Sequence, residues 1–149
     1  MRRFAAQLIL SAFLAGCASG AHLRGGIDGK DLVKAARKQI GVPYRFASDS
    51  PDKGFDCSGL VHYCFASLGV SVPRTTAVLF KSGHAVPKGK LSQGDLVFFD
   101  MLGDGPSHVG IYSGGDKMVH APTTGKKVRE EKIGVPYWIK RFQGARRLD

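Results

Sequence analysis

Apolar side chains recur at the spacing of an α-helix in the first half of the chain. Over residues 57–68 they fall at positions i, i+3, i+4, i+7, i+8 and i+11, which places them in one stripe along a helix. Asp56 stands before this stripe as a candidate N-cap, and Gly69 follows it as a stop signal. A similar period predicts a helix over residues 28–40 and a short one over residues 75–81.

The period changes to that of β-strands in the second half of the chain. Short apolar and β-branched runs between Gly and Asp clusters predict strands over residues 95–99, 108–113, 117–121 and 138–142. Helices followed by a meander of short strands are typical of an α+β domain, in which the N-terminal helices pack on an antiparallel β-sheet. We therefore predict that fold class for residues 28–148.

The composition is that of a single globular domain. The chain has 149 residues, of which 43% are hydrophobic and 23% charged, and these values argue against a disordered chain, a collagen and a coiled coil. Its 20 glycines exceed the usual share and fit tight turns between short strands. Three cysteines are too few for a dense disulfide scaffold.

The N-terminal segment has the features of an export signal. A basic start precedes a mostly apolar run over residues 4–14, shorter than the roughly 20 residues that cross a bilayer. The sequence Leu-Ala-Gly-Cys then ends at Cys17 and resembles the bacterial lipoprotein box, in which the cysteine is lipidated and begins the mature chain. We predict a signal peptide over residues 1–16 and a lipidated tether over residues 17–27. Ala18 after the cysteine favours the outer membrane of the bacterial envelope, with the domain facing the periplasm.

The net charge of +10 is concentrated toward the C-terminus. From residue 116 onward there are nine Lys and Arg residues against four Asp and Glu. Because export argues against nucleic acid as a partner, anionic lipid or the cell wall matches this basic region better. A solvated surface without any partner explains the same charge equally well.

Cys57 is the strongest candidate for chemistry. It lies at the first turn of a predicted helix, where free backbone N–H groups and the helix dipole favour a thiolate. A core position is the alternative, because cysteine is often buried and Cys57 belongs to the apolar stripe. Cys64 lies two turns along the same face, with its Cα atom about 10 Å away, so the two cannot form a disulfide. We expect Cys64 in the core.

Two of the five histidines, His108 and His120, stand on consecutive predicted strands joined by a Gly-rich turn. A loop of two glycines would put them on opposite faces of the sheet. A three-residue loop over residues 113–115, with Gly115 left-handed, would pair them directly on one face, and we predict this arrangement. The remaining histidines, which are expected to be solvated, are His22, His62 and His84.

Cys57, His108 and His120 would together supply a nucleophile, a base and an orienting group. His108 would exchange a proton with the thiol, and His120 would fix the tautomer and orientation of His108. The backbone N–H of Cys57 and the hydroxyl of Tyr44 are candidate donors to the oxyanion that forms during amide cleavage.

Six sequence blocks, in order and at matching spacing, resemble the NlpC family of cell-wall cysteine peptidases. They are Gly-Val-Pro-Tyr-Arg-Phe at 41–46, Gly-Phe-Asp-Cys-Ser-Gly-Leu-Val at 54–61, Pro-Arg-Thr-Thr at 73–76, Gly-Asp-Leu-Val-Phe-Phe at 94–99, Ser-His-Val-Gly-Ile-Tyr at 107–112 and Met-Val-His-Ala at 118–121. The resemblance covers about residues 28–148. It implies a papain-like fold, a triad of Cys57, His108 and His120, and a functional tyrosine at Tyr44. One departure is that Ala47-Ser48 replaces the family's usual Gly-Gly.

The resemblance also implies an enzyme that hydrolyses peptidoglycan stem peptides, and the lipoprotein box at Cys17 adds the expectation of a lipid anchor. Two amide bonds stay open as substrates, D-γ-glutamyl–diaminopimelate and diaminopimelate–D-alanine. Arg45 and Arg74 are candidate contacts for substrate carboxylates, and we expect no metal and no cofactor. The alternatives are a thiol acyltransferase of the same broad fold and a non-catalytic wall-binding module. A regulatory protein partner is also left open.

Overall fold

Helices occupy the first part of the domain and a six-stranded sheet the second. The structure is a computed structural model and describes residues 26–148. The helices are α1 (Gly29–Arg37), α2 (Cys57–Ser67), α3 (Thr76–Leu79) and α4 (Pro136–Ile139). The strands are β1 (Asp49–Ser50), β2 (Gly54–Phe55), β3 (His84–Ala85), β4 (Leu96–Phe99), β5 (His108–Gly114), β6 (Lys117–His120), β7 (Arg129–Lys132) and β8 (Phe142–Arg147). The α+β class predicted from the sequence is confirmed.

The two longer helices begin where the sequence predicted. The side chain of Asp28 caps α1 by accepting a hydrogen bond from the N–H of Lys30 at 2.9 Å. Asp56 caps α2 in the same way, and its Oδ1 lies 2.6 Å from the N–H of Gly59. These bonds satisfy backbone donors that the first turn of a helix leaves without partners. Both helices therefore start at defined positions, and α2 presents Cys57 at its first turn.

The large sheet is antiparallel, with the strand order β3-β8-β4-β5-β6-β7. The strand β4, Leu-Val-Phe-Phe, is buried on both faces. One face packs against α1 and α2 through Leu32, Leu60, Phe98, Val109, Ile111 and Val119. The other face packs under α4 through Val97, Phe99, Met118, Ala145 and Trp138. The sheet thus separates two clusters, and the site lies where they meet at one end of β5.

The hairpin between β5 and β6 differs from the predicted one. Its turn is Gly115-Asp116, with φ values of 58° and 60°, and a bulge interrupts the pairing between Tyr112 and Gly114. A two-residue turn with both φ positive matches the twist of the flanking strands, and the bulge absorbs the extra residue. Gly115 is left-handed as expected, but the three-residue loop over residues 113–115 is wrong.

This register does not pair His108 directly with His120. Ile111 pairs with Val119, so continuing the register places His120 opposite Gly110, two residues from His108. Side chains alternate with a period of two along a strand, so a shift of two residues keeps both histidines on one face. They are diagonal neighbours, and at that separation long or aromatic side chains still touch.

Two further expectations about the strands are wrong. Residues 138–142 do not form a strand, because Trp138 belongs to α4, which Pro136 opens, and β8 begins only at Phe142. The strand β7 was not predicted, because its sequence Arg-Glu-Glu-Lys carries no apolar position. Pairing with β6 at the edge of the sheet stabilises it instead.

The predicted lipoprotein features lie almost entirely outside the described residues. The signal peptide over residues 1–16, Cys17 and the tether as far as residue 25 belong to this part of the chain. Within residues 26–148, no helix is long and apolar enough to cross a membrane. Lipidation and the domain boundaries therefore stay predictions.

Candidate active site

The N-terminus of α2 is fixed by a cluster around Asp56. The guanidinium of Arg74 contacts both carboxylate oxygens of Asp56, each at 2.9 Å, and the hydroxyl of Ser58 at 3.0 Å. A two-point contact of this kind fixes both groups in one plane. The contacts of Arg74 with Asp56 and Ser58, which flank Cys57 in the sequence, consequently hold the first turn of α2 and the backbone of Cys57 in place.

The Cys57 thiol lies between α2, α3 and β5. Its Sγ is 3.6 Å from the hydroxyl of Thr76 in α3, and it also accepts hydrogen bonds from the backbone N–H groups of Val109 and Ser58. Burial raises the pKa of the thiol, and these bonds lower it by less. Desolvation therefore opposes the thiolate that the sequence analysis expected at the helix terminus, and it outweighs the favourable donors.

His108 and His120 are in direct contact. Nε2 of His108 lies 2.8 Å from Nδ1 of His120, and the two rings are nearly perpendicular. Burial, together with the proximity of the His120 ring, lowers the pKa of His108 to about 3, and burial lowers that of His120 to about 4. Both imidazoles are therefore neutral at neutral pH, which is the state a general base requires.

Trp138 encloses the two histidines from the α4 side. Its indole stacks on the ring of His108, with centroids 5.7 Å apart and planes inclined by 24°. It meets His120 edge-on at 5.4 Å, and Phe99 packs against Trp138 at 4.7 Å. These contacts contribute to the burial of the histidine pair.

Glu131 is a member of the site that the sequence analysis missed. Its Oε2 lies 2.9 Å from Nε2 of His120 and also contacts Arg129, whose Nε is 2.9 Å away. Partial burial raises the pKa of Glu131, but hydrogen bonds from His120 and Arg129 outweigh it, so the pKa lies below its usual value. The only sequence signal for β7 was the spacing of Arg129 and Glu131, which lie two residues apart and so share one face of a strand.

Cys57 and His108 open into one cleft of about 590 Å³, a volume typical of small-ligand sites. The other residues that line it are Tyr44, Met101, Leu102, Ser107, Pro122, Thr123, Lys126, Arg129, Glu131, Tyr137 and Trp138. The cleft therefore combines the thiol and the base with an apolar rim and two cationic side chains. This arrangement can support nucleophilic attack by sulfur on an extended, carboxylate-bearing ligand.

Tyr44 lies on the cleft wall beside the thiol. Burial raises its pKa, and the proximity of Cys57 and Asp56 raises it further. The phenol is therefore protonated at neutral pH and can donate a hydrogen bond. The role of Tyr44 as an oxyanion donor stays a prediction.

The two candidate arginines lie apart from the cleft lining. Arg74 is bound to Asp56 and Ser58, so its observed contacts hold the helix cap. Arg45 is exposed and is not among the cleft-lining residues. Contact of either side chain with substrate stays a prediction. Within residues 26–148, no group of three or more His, Cys, Asp or Glu side chains is placed to hold a metal ion.

Among the described residues, Cys64, His62 and His84 are not part of the cleft lining. Cys64 is fully buried in the core, as predicted, and burial raises its pKa to about 12. His62 lies 3.1 Å from Asp49 on the opposite side of α2, and His84 belongs to the edge strand β3. His22 lies outside the described residues.

Comparison with known proteins identifies one family. Residues 41–147 match the NlpC/P60 family. The chain is 41% identical over 123 residues to murein DD-endopeptidase MepH of Escherichia coli, covering 80% of this chain and 45% of that protein. It is 38% identical over 120 residues to gamma-DL-glutamyl hydrolase of Bacillus subtilis, covering 79% and 29% respectively. The chain thus spans less than half the length of these curated relatives.

Solved structures show the same similarity. An NlpC/P60 family protein from Bacillus cereus superposes with a TM-score of 0.76 at 35% identity, covering 83% of this chain and 41% of that one. The NlpC/P60 domain of the peptidoglycan hydrolase SagA superposes with a TM-score of 0.71 at 30% identity, covering 82% of this chain and all of that domain. The matched domain carries the cleft described above.

Proposed function

Because the chain belongs to the NlpC/P60 family, we propose that it is a thiol-dependent endopeptidase that hydrolyses amide bonds in peptidoglycan stem peptides. One observation carries the proposal: Cys57, Tyr44 and His108 line a single cleft, and the ring of His108 contacts that of the buried His120. The names of the related proteins, which include a murein endopeptidase and a gamma-glutamyl hydrolase, support the substrate class.

The reaction begins from a neutral thiol and a neutral imidazole. His108 takes the proton of Cys57 as the sulfur attacks the amide carbonyl, so the two charges form together within the cleft. The backbone N–H of Cys57 and the Tyr44 hydroxyl then donate to the developing oxyanion. His108 returns the proton to the departing amine, and water hydrolyses the thioester to restore the thiol.

The charge of the cleft suits the chemistry of the stem peptide. Lys126 and Arg129 line the cleft, and a stem peptide carries several carboxylates. Lys126 is exposed and so can meet a carboxylate without losing an existing partner, whereas Arg129 is already paired with Glu131. Both candidate bonds, D-γ-glutamyl–diaminopimelate and diaminopimelate–D-alanine, place a carboxylate beside the scissile amide.

Digestion of purified sacculi tests the activity. The full-length chain, purified in detergent, is incubated with sacculi beside Cys57→Ala, and mass spectrometry identifies the released fragments. Cys64→Ala is the matched control, because it removes a thiol from the same helix without touching the cleft. We expect release by the unmodified chain and by Cys64→Ala and none by Cys57→Ala.

The products identify the bond. Loss of cross-linked dimers indicates the diaminopimelate–D-alanine bond, whereas stems cut after glutamate indicate the γ-glutamyl bond. Equal release by Cys57→Ala would contradict the proposal. Binding of sacculi without any release would favour the wall-binding module, and transfer of an acyl group to an added amine or alcohol would favour the acyltransferase.

We further propose that Cys17 carries lipid and holds the domain at the outer membrane. The Leu-Ala-Gly-Cys sequence ending at Cys17 supports this, and several acyl chains on one residue anchor stably at ~0.8 kcal/mol per buried CH₂. Growth with labelled palmitate should label the chain, and Cys17→Ser should abolish the label and release the protein from the membrane fraction. An unlabelled chain, or membrane retention of Cys17→Ser, would contradict the proposal.

A further inference from the structure

The two histidines and a carboxylate form a continuous sequence of polar contacts across three neighbouring strands. Nε2 of His108 on β5 meets Nδ1 of His120 on β6, and Nε2 of His120 meets Oε2 of Glu131 on β7. The side chain of His120 is completely buried between its two partners. Every nitrogen of His120 is therefore engaged by a defined neighbour.

The charge of Glu131 determines which nitrogens of the two histidines carry a proton. Glu131 is ionised at neutral pH, and a carboxylate only accepts hydrogen bonds, so Nε2 of His120 must carry a proton and donate. A neutral imidazole has one N–H, and Nδ1 of His120 is therefore an acceptor. The partner of that acceptor, Nε2 of His108, must then be the protonated nitrogen of His108.

Nδ1 of His108 is the remaining ring nitrogen, and the reaction needs it as the base. With Nε2 of His108 protonated, Nδ1 of His108 carries the lone pair. This is the atom available to remove a proton from Cys57. The opposite set of tautomers would place an N–H at Nδ1 and leave His108 unable to accept.

We propose that Glu131 is a positioning residue: its carboxylate fixes the tautomers of His120 and His108 and leaves Nδ1 of His108 free to take the proton of Cys57. The inference deepens the proposed function and depends on it for the catalytic role of Cys57. As His108 becomes positively charged, the negative charge of Glu131 also stabilises the imidazolium through His120.

Arg129 holds the carboxylate in the required direction. Its Nε lies 2.9 Å and its Nη2 2.8 Å from Oε2 of Glu131, the same oxygen that accepts from His120. An oxygen fixed by three N–H donors keeps one position, even though the side chain of Glu131 is 30% exposed. Glu131→Gln should therefore keep an acceptor oxygen at this place and lose only the charge.

Glu130 provides a matched control on the same strand. It points to the other face of β7, where it contacts Nη2 of Arg37 at 2.7 Å and does not line the cleft. Like Glu131→Gln, Glu130→Gln removes one negative charge from β7, at the neighbouring position, but it touches neither histidine. An effect shared by both variants would reflect net charge or the stability of β7, not positioning.

The test combines one readout that needs substrate with two that do not. The full-length chain is compared with Glu131→Gln, Glu131→Met and Glu130→Gln, each confirmed as folded by its melting curve. Nitrogen NMR of labelled histidine reports which ring nitrogens carry protons. The rate at which iodoacetamide alkylates Cys57, with Cys57→Ala as the blank, reports thiolate formation against pH, and the release of stem peptides gives kcat and KM.

For Glu131→Gln we expect the tautomers to be kept, the alkylation rate near neutral pH to fall and kcat to decrease about 10- to 100-fold. The acid limb of the pH profile should move to lower pH, because both histidine pKa values lose an upward contribution from Glu131. For Glu131→Met we expect mixed tautomers and a larger loss of kcat, with little change in KM for either variant. Glu130→Gln should behave as the unmodified chain does.

Two results would overturn the inference. One is unchanged tautomers in Glu131→Met, and the other is an unchanged alkylation profile in both Glu131 variants. If sacculi release nothing while the tautomers and alkylation change as expected, the proposed function fails and the positioning role of Glu131 stands. If every Glu131 variant cleaves sacculi equally well and either of these two results is found, the proposed function stands and the positioning role of Glu131 fails.

Discussion

Lowering the pH from about 7.5 to about 5 should destabilise the folded chain, because two neutral histidines are buried in the cleft wall. The pKa of His108 is lowered to about 3 and that of His120 to about 4, mainly by desolvation. In the unfolded chain both return to about 6.5. Between these pKa values the unfolded state binds protons that the folded state does not. The free energy of unfolding is therefore unaffected by the two histidines above about pH 6.5 and decreases as the pH falls below that value.

The magnitude follows from the displacement of each pKa. Each unit corresponds to 1.36 kcal/mol, so at about pH 5 each histidine removes about 2 kcal/mol and the pair about 4 kcal/mol. The slope between about pH 4 and 6 should approach 2.7 kcal/mol per pH unit. A domain of this size has a total stability of roughly 5–15 kcal/mol, so this loss is easily measured. The lowered carboxylate pKa values of Glu130 and Glu131 affect stability mainly below this window.

Urea denaturation followed by circular dichroism, repeated at half-unit steps of pH, measures the slope directly. His120→Gln should reduce the slope to about half, since one of the two titrating groups is removed. Cys64→Ala is the control: it should lower the whole curve by loss of core packing without changing its slope. A free energy of unfolding that stays flat between about pH 7.5 and 5, or a slope unaffected by His120→Gln, would refute the reasoning.

Three substitutions test the geometry around the site. Ala47 has a φ of 56°, which disfavours a β-carbon, so Ala47→Gly should raise the free energy of unfolding by about 0.5–1 kcal/mol in urea. A β-carbon at Gly110 would lie 2.5 Å from Sδ of the buried Met118, so Gly110→Ala should cost about 1–3 kcal/mol in the same assay and slow peptide release. Arg74→Met leaves the carboxylate of Asp56 without its cation, and we expect a loss of about 1–3 kcal/mol, measured by thermal melting.

Each of these has a control within the same fold. Ala66→Gly, in the exposed part of α2, should lower stability by about 1 kcal/mol, so a gain at Ala47 alone would be specific to the left-handed backbone. Gly89 has open space around it, and Gly89→Ala should change neither stability nor release. Arg45→Met should stay within about 0.5 kcal/mol of the parent. The three predictions fail if a control matches its partner in size and direction.

Local patterns in the sequence were enough to place the nucleophile. The i, i+3, i+4 spacing, the cap at Asp56 and the stop at Gly69 depend on neighbours within one or two turns, and α2 begins at Cys57 as they predicted. Short apolar and β-branched runs between Gly and Asp clusters likewise placed β4, β5 and β6 to within one or two residues. The face shared by His108 and His120 also follows from local sequence, because a register error of two residues preserves side-chain parity.

The tertiary structure alone decided how reactive these groups are and what orients them. The sequence left a core position and a reactive position open for Cys57, and only the packing of α3 and β5 around it shows that burial raises the pKa of the thiol. Strand β7 is stabilised by its pairing with β6 and has no apolar period of its own, so the position of Glu131 beside His120 could not be read from the chain. Residues that share a helix or a hairpin can be predicted from spacing, whereas partners contributed by separate elements meet only when the whole sheet assembles, since desolvation and charge depend on every element packed around them.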